Sequence, residues 1–213
     1  MRRLSKRMIA ITGAATFLAA AGTAAGIASA GADAAVKHAT FHMVRSAAAV
    51  GANCLKGANA NVTIQSQGPV EVMNVSAHRL PRNTDFDFFV IQVPNAPFGI
   101  SWYQGDLESD HAGNAHGTFI GRFSIETFAV APGVAPAPRV FHKPPFPDAS
   151  QNPAFGPVQM YHLGLWFNSP KDAAAAGCAG TVTPFNGEHH AGVQALSTRN
   201  FPDQFGPLRQ IQS

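Results

Sequence analysis

The chain has 213 residues and a formal net charge of +3 at pH 7, with 46% hydrophobic and 13% charged residues. Four of its positive charges, Arg2, Arg3, Lys6 and Arg7, stand at the N-terminus; from Gly31 onward eleven Lys and Arg face twelve Asp and Glu, a net charge of −1. A domain so nearly neutral offers no basic patch and excludes nucleic acid as a partner, and about 180 residues suit one domain with a substantial core.

The first thirty residues read as an export signal. The four basic residues precede an uncharged run from Met8 to about Ala21, and small residues follow, with Ala28-Ser29-Ala30 and Ala32-Asp33-Ala34 both fitting a signal-peptidase site. Cleavage is therefore expected near 30–34. The run is too rich in Ala and Gly to hold as a bilayer anchor, so membrane contact is expected only through the transient signal. Arg2-Arg3 raises a twin-arginine route, but Leu4-Ser5 does not complete that motif, and the general secretory route fits better.

Residues 31–60 are Ala- and Gly-rich with weak periodicity, so a loosely structured segment with one short helix around Val44–Val50 is expected. Val62-Thr63-Ile64 and Val70 to Val75 are β-branched and flank the turn signal Gln67-Gly68-Pro69. Asp85 to Val93 places Phe86, Phe88 and Val90 on one face and Phe89, Ile91 and Val93 on the other, the pattern of a strand buried on both sides. Ile100–Glu108 and Ala115–Val130 read as a hairpin joined by Ser109 to Asn114, with Gly113 and Asn114 free to take positive φ. The second arm shifts its apolar parity, which calls for a bulge or a bend between sheets.

Ala131 to Pro157 carries eight prolines in 27 residues and cannot be sheet interior; its Phe141, Phe146 and Phe155 argue for a loop packed along the surface. Val158 to Phe167 is again extended. Ser169 and Pro170 cap a helix over 171–176 that Gly177 stops, and Gly192–Ser197 is the last strand. Cys54 and Cys178 are the only cysteines, an even pair that an oxidising compartment joins as a disulfide; two buried free thiols are the alternative. Many short strands with one convincing helix, near the C-terminus, predict an all-β chain: a single β-sandwich, Ig-like or jelly-roll-like, over 61–213, with a closed β-barrel as the alternative.

Several stretches carry a likeness to known sequences: Leu80-Pro81-x-Asn83-Thr84-Asp85-Phe86-Asp87, Pro97 to Asp106, His162 to Pro170, Pro184 to His189 and Ser197 to Pro202. From about Val44 to the end the chain resembles a family of exported actinobacterial proteins without an assigned activity. The resemblance implies export and no mechanism.

For chemistry, a two-residue turn at Gly113-Asn114 would set His111 directly opposite His116, close enough for both imidazoles to ligate one metal. His189, in Gly187-Glu188-His189-His190, would complete a three-His site with Glu188 as base of a metal-assisted hydrolase. Asp106, Glu108 and Asp110 alternate on one strand face, an acidic row suited to Ca²⁺ but without EF-hand spacing. His-Glu-x-x-His, Gly-x-Ser-x-Gly and phosphate-loop motifs are absent, and no cofactor is implied. This favours a non-catalytic extracellular module that binds an envelope protein or a polysaccharide over a secreted metalloenzyme. Trp102, Tyr103 and Phe146 are its candidate contacts, although core burial for Trp102 and an edge position for Tyr103 is the simpler expectation.

Overall fold

The computed structural model describes residues 36–125, 127–130, 157–183 and 190–212. The expected signal, the Pro-rich segment with Phe141, Phe146 and Phe155, and the Pro184–His189 stretch with Glu188 and His189 lie outside them.

Alternation of apolar and polar residues generates the first three strands. In β1 (His38–Arg45), Phe41 and Met43 turn inward while His38, Thr40 and His42 face solvent. β2 (Asn59–Ser66) buries Ala60, Val62 and Ile64, and β3 (Glu71–His78) buries Met73, Val75 and Ala77. The β2–β3 connection is the predicted turn, closed by the Gln67 N–H donating to the Val70 carbonyl at 2.8 Å, with Gly68 at φ 86°. β4 (Asp85–Ile91) is buried on both faces, as its sequence predicts. β5 (Ser101–Glu108), β6 (Ala115–Gly121), β7 (Phe128–Val130), β8 (Pro157–Gln159), β9 (His162–Phe167) and β10 (Gln194–Ser197) follow.

The protein is all-β. Eight strands form one antiparallel sheet in the order β5-β4-β9-β10-β1-β2-β3-β6. Its two halves pack across a core of Phe41, Met43, Val62, Ile64, Phe86, Phe88, Leu163, Leu165 and Leu196. β1 serves both halves: His38–Met43 pair with β2, and Val44–Arg45 with β10. A strand that passes from one leaf to the other is how a sandwich turns a corner. On the opposite side β5 and β6 approach, so the sheet nearly closes on itself. A smaller cluster of Phe89, Ile91, Trp166 and Ala191, with Phe98, covers the outer side of β4 and β9.

The cysteines form the expected disulfide. Each follows a short helix: α1 (Ala47–Gly51) and α2 (Pro170–Ala175). The Cys54 and Cys178 N–H groups donate to Ala49 and Ala173 carbonyls at 3.0 and 2.9 Å, so the bond staples two helix ends. Ser169 caps α2 as predicted, its hydroxyl accepting the Asp172 N–H at 3.1 Å, and Gly177 follows at φ 72°. A disulfide fits a non-cytoplasmic environment, and among the described residues no helix is long and apolar enough to cross a membrane.

Three expectations need correction. Residues 38–45 are not loose: they form β1 in the middle of the sheet, and the expected short helix follows as α1. β5 and β6 are not a paired hairpin, since β5 pairs with β4 and β6 with β3. The long second arm leaves the sheet at Gly121, and β7 pairs with β8 instead, the bend that its parity shift demands.

Candidate functional site

The seam between β5 and β6 is filled by a side chain in place of a hydrogen-bonded ladder. Phe119 stacks on Phe88 with centroids 4.9 Å apart and planes 20° from parallel. Glycines make room for it: a Cβ on Gly105 would lie 3.0 Å from the Phe119 ring, and one on Gly117 3.1 Å from it and 2.6 Å from Leu107 Cδ2. Toward the Trp102 end of β5 the strands part, and a cleft of about 550 Å³ opens.

A bulge aims Trp102 into that cleft. Phe88 pairs with Gly105 but Phe89 with Tyr103, so Gln104 is an extra residue and strand parity reverses there. Trp102 therefore shares the face of Val90, its cross-strand partner, and lines the cleft with Gln104, Ile120, Arg122, Phe123, Thr127, Phe128 and Met160. Trp102, Ile120 and Phe128 are 58, 71 and 51% exposed. Trp102 is thus not core. Large apolar side chains gathered on one concave surface differ from the scattered exposed ones of an ordinary protein surface.

The floor is pinned by a buried carboxylate. Glu71 is wholly buried; its Oε2 accepts the Phe123 N–H at 2.7 Å, and its Oε1 lies 3.6 Å from the Arg122 guanidinium. Arg122 also donates to the Pro69 carbonyl at 2.8 Å. Among the described residues that line the cleft Arg122 is the only charged one, and Glu71 beneath it is its counter-charge.

Tyr103 points the other way, edge-on to Phe89 at 5.6 Å. Its hydroxyl donates to Asp106 at 2.7 Å. Partial burial, then that bond and the carboxylates of Asp106 and Asp87, push the phenol up to about 12. Trp102 and Tyr103 consequently do not form one contact surface.

Of the predicted metal ligands, His189 lies outside the described residues, and His111 and His116 sit in different local settings. His116 faces Ser76, whose Oγ lies 3.1 Å from its Nδ1, and meets His78 edge-on at 6.2 Å. His111 is exposed in the turn after β5. The turn closes where the Asp110 N–H donates to the Asn114 carbonyl at 2.8 Å, so His111 falls in the loop, while the residue opposite His116 on β3 is Ser76. Among the described residues no three His, Cys, Asp or Glu side chains are placed to hold a metal. The acidic row is otherwise engaged as well. Asp106 takes the Tyr103 hydroxyl, while Asp110 accepts the Ala112 and Asn114 N–H groups at 2.8 and 2.9 Å. The Asn114 N–H holds the Asp110 carboxyl below the ordinary range.

His162, buried in β9, is structural. Its Nε2 lies 3.1 Å from the Asp203 carbonyl, which only accepts, so Nε2 carries the proton and Nδ1 accepts from the Thr198 hydroxyl at 2.9 Å. Burial pushes its pKa below that of a free histidine.

Comparison with known proteins gives no matching family model, no matching curated protein and no matching solved structure. The functional argument accordingly rests on the cleft.

Proposed function

We propose that this protein is a secreted, non-catalytic binding module that takes an uncharged ligand with a flat apolar face into the cleft between β5 and β6. The observation that carries this reading is that two largely exposed aromatic side chains, Trp102 and Phe128, line one concavity, with Ile120 at its outer rim. Its size lies within the roughly 300–1,000 Å³ of small-molecule sites. The described walls are largely apolar, with Gln104 and Thr127 as polar groups to orient a ligand, and their one charged residue, Arg122, is paired with Glu71. Export is supported by the basic, apolar and small-residue zones of residues 1–34 and by the disulfide.

The two tryptophans provide the test. Trp166 is fully buried and Trp102 lies in the cleft, so only Trp102 can touch a cleft ligand, and its removal is the specific control. The probe is N-phenyl-1-naphthylamine, an uncharged flat aromatic. Saturable one-to-one uptake that quenches Trp102 is expected. Loss of the indole contact in Trp102→Ala should weaken it by about 1.5–3 kcal/mol, roughly 10- to 150-fold in Kd. Absence of saturable uptake, or uptake unchanged in Trp102→Ala, overturns the assignment.

A further inference from the structure

The outer face of β1-β2-β3-β6 carries a second ordered surface, away from the indole of Trp102. Cross-strand register aligns Thr40, Thr63, Asn74 and Thr118 in one row. The row beside it is His42, Asn61, Ser76 and His116. None of the eight is Lys, Arg, Asp or Glu, whereas about a quarter to a third of an ordinary soluble surface is charged. Within a row, neighbours repeat every ~4.8 Å, and the rows lie about 7 Å apart along the strands.

Half of this array is already oriented and half is available. The Thr118 hydroxyl donates to Asn74 Oδ1 at 2.7 Å, which fixes the amide and leaves its two N–H groups facing outward. His116 is set by Ser76. Among the described residues, the side chains of Thr40, Thr63, His42 and Asn61 make no hydrogen bond, and Thr40, His42 and Asn61 are exposed. The backing is rigid: Val62, Ile64, Met73 and Val75 are buried directly beneath, so little conformational freedom remains to be lost on binding.

We infer that these two rows form a docking track for a linear, neutral polysaccharide. Hydroxyl, amide and imidazole groups match the dense hydroxyls of such a polymer, and the strand spacing is close to the length of one pyranose unit. The two rows flank a strip about one sugar ring wide, and four strands span about 14 Å, some three units. A nucleic acid or an acidic polymer requires cations that the rows lack, and a protein partner requires an apolar centre that they also lack. Ile120, two residues beyond Thr118 on the same face of β6, is where this surface meets the rim of the cleft, and Trp102 on β5 stands outside the two rows.

The test is affinity gel electrophoresis of the mature, disulfide-intact protein. The gels contain hydroxyethylcellulose, laminarin, pullulan or galactomannan. Retardation by at least one polymer, insensitive to added salt, is expected. Asn61→Ala/Asn74→Ala should weaken it about tenfold, and Thr40→Val/Thr63→Val, which keeps strand propensity, should weaken it similarly. Trp102→Ala should leave it unchanged. Mobility equal with and without every polymer overturns the proposal, as does retardation unaffected by both row variants. Retardation abolished by Trp102→Ala alone overturns it too, and assigns the sugar to the cleft instead.

Discussion

Removing the cross-link in Cys54→Ala/Cys178→Ala tests where the stability of this domain originates. The bond closes a loop of 124 residues, which on the chain-entropy model withdraws about 16–17 cal/mol/K from the unfolded ensemble, or roughly 5 kcal/mol at 25 °C. A single domain has only about 5–15 kcal/mol to lose, so the variant should retain at most two-thirds of its stability. Both cysteines are buried, and the alanines leave small voids, which adds to the loss rather than offsetting it. Urea denaturation followed by far-UV circular dichroism is the assay. With a slope near 2 kcal/mol/M, the midpoint should fall by about 2.5 M. The slope itself should rise, because an uncross-linked unfolded chain exposes more surface. A loss under about 1 kcal/mol with an unchanged slope would refute the argument that the bond acts on the unfolded chain.

Three further outcomes follow from other parts of the molecule. Glu71→Ala leaves the Phe123 N–H without its acceptor and the Arg122 guanidinium without its buried counter-charge and should cost about 3 kcal/mol in urea melts, with loss of probe uptake by the cleft. His162 has a folded-state pKa below its unfolded value, so the unfolded chain binds the extra proton; stability is full above about pH 6.5 and falls as pH drops through that value. His162→Gln should flatten this part of the stability–pH profile, and a profile identical to wild type would exclude His162 as its source. Gly113 has φ 80°, and a Cβ there would lie 2.3 Å from the Leu80 carbonyl oxygen. Gly113→Ala should therefore destabilise by about 2–3 kcal/mol, and a neutral result by thermal melting would contradict the described turn.

Local chemistry was legible and partner choice was not. The Gln67-Gly68-Pro69 turn, the two-faced apolar pattern of β4, the Ser169 cap and the cysteine pair each depend on residues near in sequence or on a single chemical option. β1 was legible too: Ala39, Phe41 and Met43 alternate with His38, Thr40 and His42, but the surrounding Ala and Gly masked a period of two. The Ser109–Asn114 turn suggested a hairpin, whereas β4 and β3 outcompete the two strands for each other. That choice depends on residues far along the chain, so local turn rules do not contain it. The orientation of Trp102 was illegible for a related reason. Without the bulge at Gln104, the inward parity set by Leu107 would turn Tyr103 inward and Trp102 outward. One inserted residue exchanges their roles, and nothing in the sequence of β5 alone announces it.

The position of β1 also dictates an order of assembly. Its inner flank pairs with β2, which is close in sequence, but Val44 and Arg45 wait for Ser197 and Leu196, and Val36 bridges Ile211. The middle of the sheet therefore stays open until nearly the whole polypeptide is present. A chain emerging from its N-terminus can form the β2–β3 and β3–β6 ribbons early, yet it cannot seal the hydrophobic interior. Such long-range closure makes folding slow and prolongs the exposure of apolar strands. Residues 196–211 lock residues 36–45.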